Sequence, residues 1–162
     1  MKASKEAATK PLSAEHQLKG FIAKLEPEHQ ALMRSVRRAL RKRFPSANEL
    51  VYDYSQSLVI GFSPTEGGID SVLALASGAD GVRLYFNQGP TLPDPKKILL
   101  GSGKQTRFIR IESLRTLRLP EVEALIESAR DQAKTPFRPG GRGMLIIKST
   151  EAKRRTKRKP KR

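Results

Sequence analysis

No cysteine occurs among the 162 residues. That removes disulfides, thiolate metal ligands and thiol nucleophiles together and fits a cytoplasmic setting. Histidine is scarce: His16 and His29 are the only imidazoles, 13 residues apart. Neither lies near a strained Gly-x-Ser-x-Gly turn, so a Ser or Thr nucleophile has no adjacent base and no catalytic residue is assigned. No apolar run approaches the roughly 20 residues of a membrane-spanning helix, and a soluble protein is expected. The opening MKASKEAATKPLS is polar, with Lys2, Lys5 and Lys10 and no apolar stretch behind them. Residues 1–12 read as a flexible leader rather than a signal peptide or anchor.

Acidic residues are missing from one end in particular. From Phe137 to Arg162 there are 11 Lys/Arg and a single acid, Glu151, so +10 of the net +16 sits there. Residues 13–136 carry 18 basic and 14 acidic side chains and are nearly balanced. Like charges repel and bury nothing, so 137–162 is expected to be a disordered basic tail, an arm for DNA or RNA. Its candidate phosphate contacts are Lys153, Arg154, Arg155, Lys157, Arg158, Lys159, Lys161 and Arg162, which would bind without sequence preference by releasing counterions. The plainer alternative is a solubilising tail or an address signal.

Within residues 13–136, Ser13 caps a first helix in which Leu18, Phe21, Ile22 and Leu25 recur on one face. Pro27 suits the first turn of a second helix running to about Phe44, with Leu32, Met33, Val36 and Leu40 inward. Its other faces carry Arg34, Arg37, Arg38, Arg41, Lys42 and Arg43, either a further nucleic-acid footprint or a wet exterior paired with acids such as Glu49. Strands are expected at Glu49–Tyr54, Ser57–Phe62, Asp70–Ser77, Gly81–Asn87 and Thr106–Ile111, joined by turn chemistry as an antiparallel meander. Val82, Leu84 and Phe86 alternate with Arg83 and Tyr85, which gives one buried and one wetter face. A last helix starts at Pro120 and presents Val122, Leu125, Ile126, Ala129 and Ala133, and Thr135-Pro136 ends it. The domain boundary is placed near 136, with Arg138-Pro-Gly-Gly-Arg-Gly a flexible basic linker. Met144–Lys148 is a brief apolar segment able to return as an edge strand.

Gly101-Ser-Gly-Lys104 is not a phosphate loop of the Walker kind, because position 98 is Ile and position 105 is Gln. As a Gly-rich turn it remains a candidate anion site, its amides helped by Lys96, Lys97, Lys104 and Arg107. The Gly89–Gln105 loop around it is long for a hairpin connection and is where a pocket is expected. Nothing in spacing brings Asp53, Asp70, Asp80 or Asp94 together as an acid–base pair. No helix-turn-helix spacing, zinc knuckle or RNA-binding aromatic signature is present. Tyr52, Tyr54 and Tyr85 are either base-stacking groups or half-buried strand aromatics.

Three stretches together resemble the YdhG-like family, catalogued mostly as a domain of unknown function: Pro45-Ser-Ala-Asn-Glu-Leu-Val-Tyr-Asp-Tyr, Val82-Arg-Leu-Tyr-Phe-Asn, and Leu92-Pro-Asp-Pro with Leu99-Leu-Gly-Ser-Gly-Lys-Gln-Thr-Arg. The resemblance covers about residues 14–134. It implies an α+β fold, an antiparallel sheet of about five or six strands with helices packed on one face. Some members are described as frataxin-like iron chaperones, so iron or small-ligand binding is the alternative function. Such a surface needs clustered carboxylates. The best stripe is Glu123, Glu127 and Asp131, four apart on the last helix, for which an ion-paired exterior beside Arg130 and Lys134 is the plainer reading. Glu15-His16 and Glu28-His29 are at most half-sites, so no metal or cofactor is assigned. The reading that emerges is a non-catalytic binding module with a basic arm giving salt-sensitive association with nucleic acid.

Overall fold

Ser13 is extended, and its Oγ accepts the His16 amide at 3.1 Å, capping helix α1, Ala14–Ala23. The structure is a computed structural model in which residues 12–150 are described. Residues 1–11 of the expected leader and 151–162, with all eight tail cations named above, lie outside the described residues. Helix α2, Pro27–Arg43, begins with Pro27 where no amide is needed. The Gln30 side chain closes the junction with α1 by donating to Leu25 O at 2.7 Å and Ala23 O at 3.1 Å. Arg41, Lys42 and Arg43 occupy the last turn, where the helix dipole favours cations.

The strands are β1 Asn48–Asp53, β2 Leu58–Ser63, β3 Leu73–Gly78, β4 Gly81–Phe86 and β5 Arg107–Ile111. Helix α3, Pro120–Gln132, and strand β6, Leu145–Ser149, complete the fold. The sheet order is β5-β4-β3-β2-β1-β6. Val51, Ile60, Leu75, Leu84 and Ile109 form one cross-strand row, each no more than 4% exposed. Period-2 alternation puts Phe62, Leu73 and Phe86 on the same face. Met33, Val36 and Leu40 of α2 and Val122, Leu125, Ile126 and Ala129 of α3 bury against this core. The expected α+β architecture with helices on one face holds, and among the described residues no helix is long and apolar enough to cross a membrane.

Three details differ from the sequence reading. Residues 70–72 precede β3 instead of starting it, because Gly68–Asp70 forms a 3-10 turn in which Asp70 accepts the Thr65 hydroxyl at 2.8 Å. The loop from 64 to 71 folds over the uncovered face, where Ser71 abuts Gly61 and Leu50 becomes fully buried. The sheet is also mixed rather than wholly antiparallel, since β6 runs parallel to β1, with Leu145 beside Glu49 and Ile147 beside Val51. Domain packing therefore continues to Ser149, past the boundary placed near 136. Phe137 meets the Phe44 ring at 5.1 Å, Ser46 Oγ donates to Arg138 O at 2.7 Å, and Gly143 N donates to Pro45 O at 2.9 Å. These contacts return the basic linker to the sheet.

Gly143 fits only as glycine: a Cβ there would fall inside the Ala47 carbonyl, whereas one at Gly140 would meet nothing. Gly143→Ala should therefore cost about 1–3 kcal/mol in urea unfolding through forced displacement. It should also speed amide exchange across 145–149, with Gly140→Ala close to neutral in both measurements.

Candidate anion-binding cleft

Inward Met33, Val36 and Leu40 fix the rotation of α2, so Arg34, Arg37, Arg38, Arg41 and Lys42 face a cleft of about 920 Å³ between α1, α2 and the approach to β6. Lys19 and His16 of α1 and Arg142 before β6 also line it. Seven Lys/Arg thus meet two carboxylates, Glu15 and Glu49. The two acids play different parts. Glu49 of β1 is 4% exposed on the helix-covered face. Arg37 grips it with both prongs, Nε to Oε2 at 2.6 Å and Nη2 to Oε1 at 2.9 Å, and Arg41 Nε lies 3.4 Å from Oε1. Glu15, with its side chain 58% exposed, takes the outer edge of the same guanidinium, Arg37 Nη2 to Oε2 at 2.9 Å.

Burial opposes the charge on Arg37, yet its hydrogen bonds to Glu49 and Glu15 more than offset this and hold its pKa above the ordinary arginine value. The hydrogen bond from Arg37 holds Glu15 below the ordinary carboxylate value of 4.5, against a smaller opposing effect of burial and with help from the charges of Arg37 and Arg41. A lowered folded pKa means Glu15 stabilises the fold above about 4.5 and loses that contribution as pH falls through the lower folded value. Its exposure keeps the effect small. Arg38, Lys42, Lys19 and Arg142 have no ion pair among the described residues, and Arg34 donates only to Gln30 Oε1 at 3.4 Å. Charge on these five is therefore uncompensated, and the cleft carries an excess of positive charge.

The other sequence candidates fall into place separately. Glu49 is indeed a partner of the basic helix, through Arg37 and Arg41. In the carboxylate stripe, Arg43 takes Glu123 at 2.5 Å and Glu127 at 3.6 Å, and Arg130 takes Asp131 at 3.1 Å. His16 and His29 line different cavities. No group of three or more His, Cys, Asp or Glu side chains positioned to hold a metal occurs among the described residues. The Gly89–Gln105 loop holds neither of the two cavities described. Its amides are used internally, Asp94 accepting from Ile98 N and Leu99 N at 3.0 Å each, and Leu100 pairs with Phe108. Lys96 lies 4.0 Å from Glu121, Lys97 and Lys104 are exposed, and Arg107 has a buried Nη1 without a partner among the described residues. Tyr52 and Tyr85 are half-buried on the uncovered sheet face and Tyr54 is exposed. Tyr85 packs on Phe108 at 5.2 Å, and the Arg83 guanidinium lies 4.4 Å from the same ring, so these aromatic surfaces are partly occupied by their neighbours.

Sequence reasoning missed Lys19 and Arg142. No local pattern links positions so far apart, and Arg142 reaches the cleft only because β6 pairs with β1. Comparison of the chain with protein-family models, with curated proteins and with solved structures finds no match.

Removing the Glu49 carboxylate takes the buried partner from the Arg37 guanidinium, whose side chain is 13% exposed, and leaves it only the exposed Glu15. Glu49→Gln is expected to lower the unfolding free energy by about 3–5 kcal/mol. Glu15→Gln should lower it by under about 1 kcal/mol. Urea titrations of the two variants at neutral pH separate these roles.

Proposed function

We propose that the protein is a cytoplasmic, YdhG-like, non-catalytic module that holds the phosphate backbone of nucleic acid in the α1–α2 cleft, with the C-terminal Lys/Arg segment extending the contact. One observation carries this reading: five cations without a carboxylate partner among the described residues converge on a single cleft. Arg34, Arg38 and Lys42 recur every fourth residue, roughly 6 Å apart along the helix axis. That is close to two nucleotide rises of about 3.4 Å each along the duplex axis, so successive side chains can follow a backbone. The contacts are made by flexible stems from a helix whose inner face is already packed on the sheet. Such contacts position a backbone and carry no base readout.

With about six to eight phosphate contacts, affinity should fall on the order of a thousandfold between 50 and 200 mM salt. Fluorescence anisotropy with labelled duplex and single-stranded DNA at several salt concentrations measures this. The combined Arg34→Gln, Arg38→Gln and Lys42→Gln variant should bind more weakly on every sequence and lose about three from the salt slope. Unchanged affinity and slope in that variant would remove the cleft from the interface. The tail is tested with a chain ending at Thr150, because a cut at Pro136 would also delete β6.

Glu15 bears on the same measurement, since its carboxylate takes the outer edge of Arg37 and lies 3.7 Å from Arg41 Nη1, the donors that a phosphate would use. Glu15→Gln should therefore tighten binding severalfold and steepen the salt slope by about one. Weaker binding in this variant would mean that Glu15 positions Arg37 and does not compete with the ligand.

A further inference from the structure

Strand β6 ends the sheet on one side, with β1 as its only strand neighbour among the described residues. One bond fixes the phase of its ladder: Glu49 N donates to Met144 O at 2.8 Å, so Met144, Ile146 and Lys148 turn their backbone groups toward β1. Leu145 and Ile147 therefore turn theirs outward, and these N–H and C=O groups have no backbone partner among the described residues. The other end of the sheet differs. There β5 is already met by Leu100, whose N donates to Phe108 O at 2.7 Å and whose O accepts from Phe108 N at 3.0 Å. Exposed edges are commonly blunted by proline or charge. Leu145-Ile146-Ile147 has neither, and all three residues are half-buried.

Outward groups that repeat every second residue make the strand complementary to itself. When a second copy runs antiparallel and the pair is centred on Ile146, Leu145 stands opposite the partner's Ile147. Ile147 stands opposite the partner's Leu145, and all the outward N–H and C=O groups find each other. Ile146 then faces the partner's Ile146 as a non-hydrogen-bonded pair, with about 4.5 Å between Cα atoms. The nearby cations avoid one another, since Lys148 falls opposite the partner's Met144 and Arg142 opposite the partner's Thr150. A slip of two residues one way would set Lys148 against the partner's Arg142, and a slip the other way would set Leu145 against the partner's Ser149. The register centred on Ile146 is the one that matches apolar with apolar and opposes no like charges.

We propose that a second copy of this chain pairs with β6 in that register, giving one continuous sheet across a two-fold axis. The pairing changes which basic segment serves which cleft. Arg142 and Gly143 line the phosphate cleft, whereas the Lys/Arg segment of the same chain starts after Thr150, on the order of 20 Å away at the far end of β6. In the pair, the partner's Thr150 stands beside Arg142, so the basic segment that follows it begins at the rim of this copy's cleft. That exchange of tails rests on the phosphate-binding reading, and the strand pairing does not. Each chain carries a net +16, and a five-residue edge falls short of the roughly 1,000 Å² of a stable interface. The pair is therefore weak alone and strengthened by a polyanion that offsets the charge.

Cysteine is absent from the chain, so single introduced cysteines report the register without background. In a glutathione redox buffer, full-length Ile146→Cys should form an interchain disulfide, its Cα separation lying within disulfide reach. Met144→Cys and Lys148→Cys sit at exposed positions and leave the fold intact. Each should stay uncross-linked alone, and the mixture should cross-link about tenfold faster or more, because only unlike chains bring these positions together. Lys148→Cys cross-linking with itself as fast as with Met144→Cys, or no cross-link in the mixture, would overturn the pairing. Two mixed dimers locked through these cysteines then test the tails. One joins a chain with the native cleft and its eight tail cations changed to glutamine to a chain with Arg34→Gln, Arg38→Gln and Lys42→Gln and the native tail. The other joins an otherwise native chain to one carrying both sets of changes. The first should bind labelled duplex DNA about tenfold more tightly, since only there does an intact cleft meet a partner's tail. Equal binding would overturn the exchange of tails. Loss of binding in both would overturn the phosphate reading, with the cross-links still deciding the pairing.

Discussion

The two-pronged contact between Arg37 and Glu49 is the joint between helix and sheet. Glu49 shares its cross-strand row with Phe62, Leu73 and Phe86, all 0% exposed, where a bare carboxylate would be strongly unfavourable. Arg37 makes that placement tenable, and its position on the helix agrees with the rotation that Met33, Val36 and Leu40 fix. With Arg37 turned to the edge of the sheet, Met33, Val36 and Leu40 meet the core, and Arg34, Arg38 and Lys42 are left on the cleft side. Anchoring the helix and assembling the cations are therefore one geometric event.

The same joint limits what the surface can read. A recognition helix enters the major groove with one face free along its length. Helix α2 lies against β3 and β4 and is flanked by α1, so what it offers outward is a row of long flexible cations. Contacts of that kind follow charge and backbone shape.

Much of this fold was legible because its signals are local. The i, i+3, i+4 pattern of Leu18, Phe21 and Ile22, Pro27 and Pro120 at helix starts, and the alternation through Val82, Leu84 and Phe86 each act within a few residues. Glu49 was legible as a partner because it lies 12 residues from Arg37 and just past the helix end. Strand β6 was legible as a brief apolar segment able to return at an edge, but its partner and direction were not. Its parallel pairing to β1 is a long-range event, and Arg138, Arg142 and Lys148 give the segment the look of a tail until Leu145 and Ile147 are seen beside the core. The Gly89–Gln105 loop misled for a similar reason. Its length suggested a pocket, yet Asp94 folds it on itself.

The two buried carboxylates of β1 follow one rule applied with different cations. Glu49 and Asp53 are four residues apart on β1, so they share a face, and each is a buried carboxylate met by a cation from a helix. Arg37 meets Glu49 with a rigid planar fork, two hydrogen bonds in fixed geometry, from a side chain 13% exposed. Lys24 meets Asp53 with a single ammonium on a flexible stem, at 3.3 Å and 56% exposed. A bidentate guanidinium is preorganised for its carboxylate and gives up little freedom in binding it, whereas an ammonium at the end of four methylenes gives up more and is readily rehydrated. The Arg37 contact is accordingly structural, and its outer edge is taken by Glu15. The Lys24 contact is the looser one, made from a side chain largely in solvent to a buried carboxylate. One strand thus carries a rigidly paired carboxylate at one end and a loosely paired one at the other, distinguished by which basic residue packs over each.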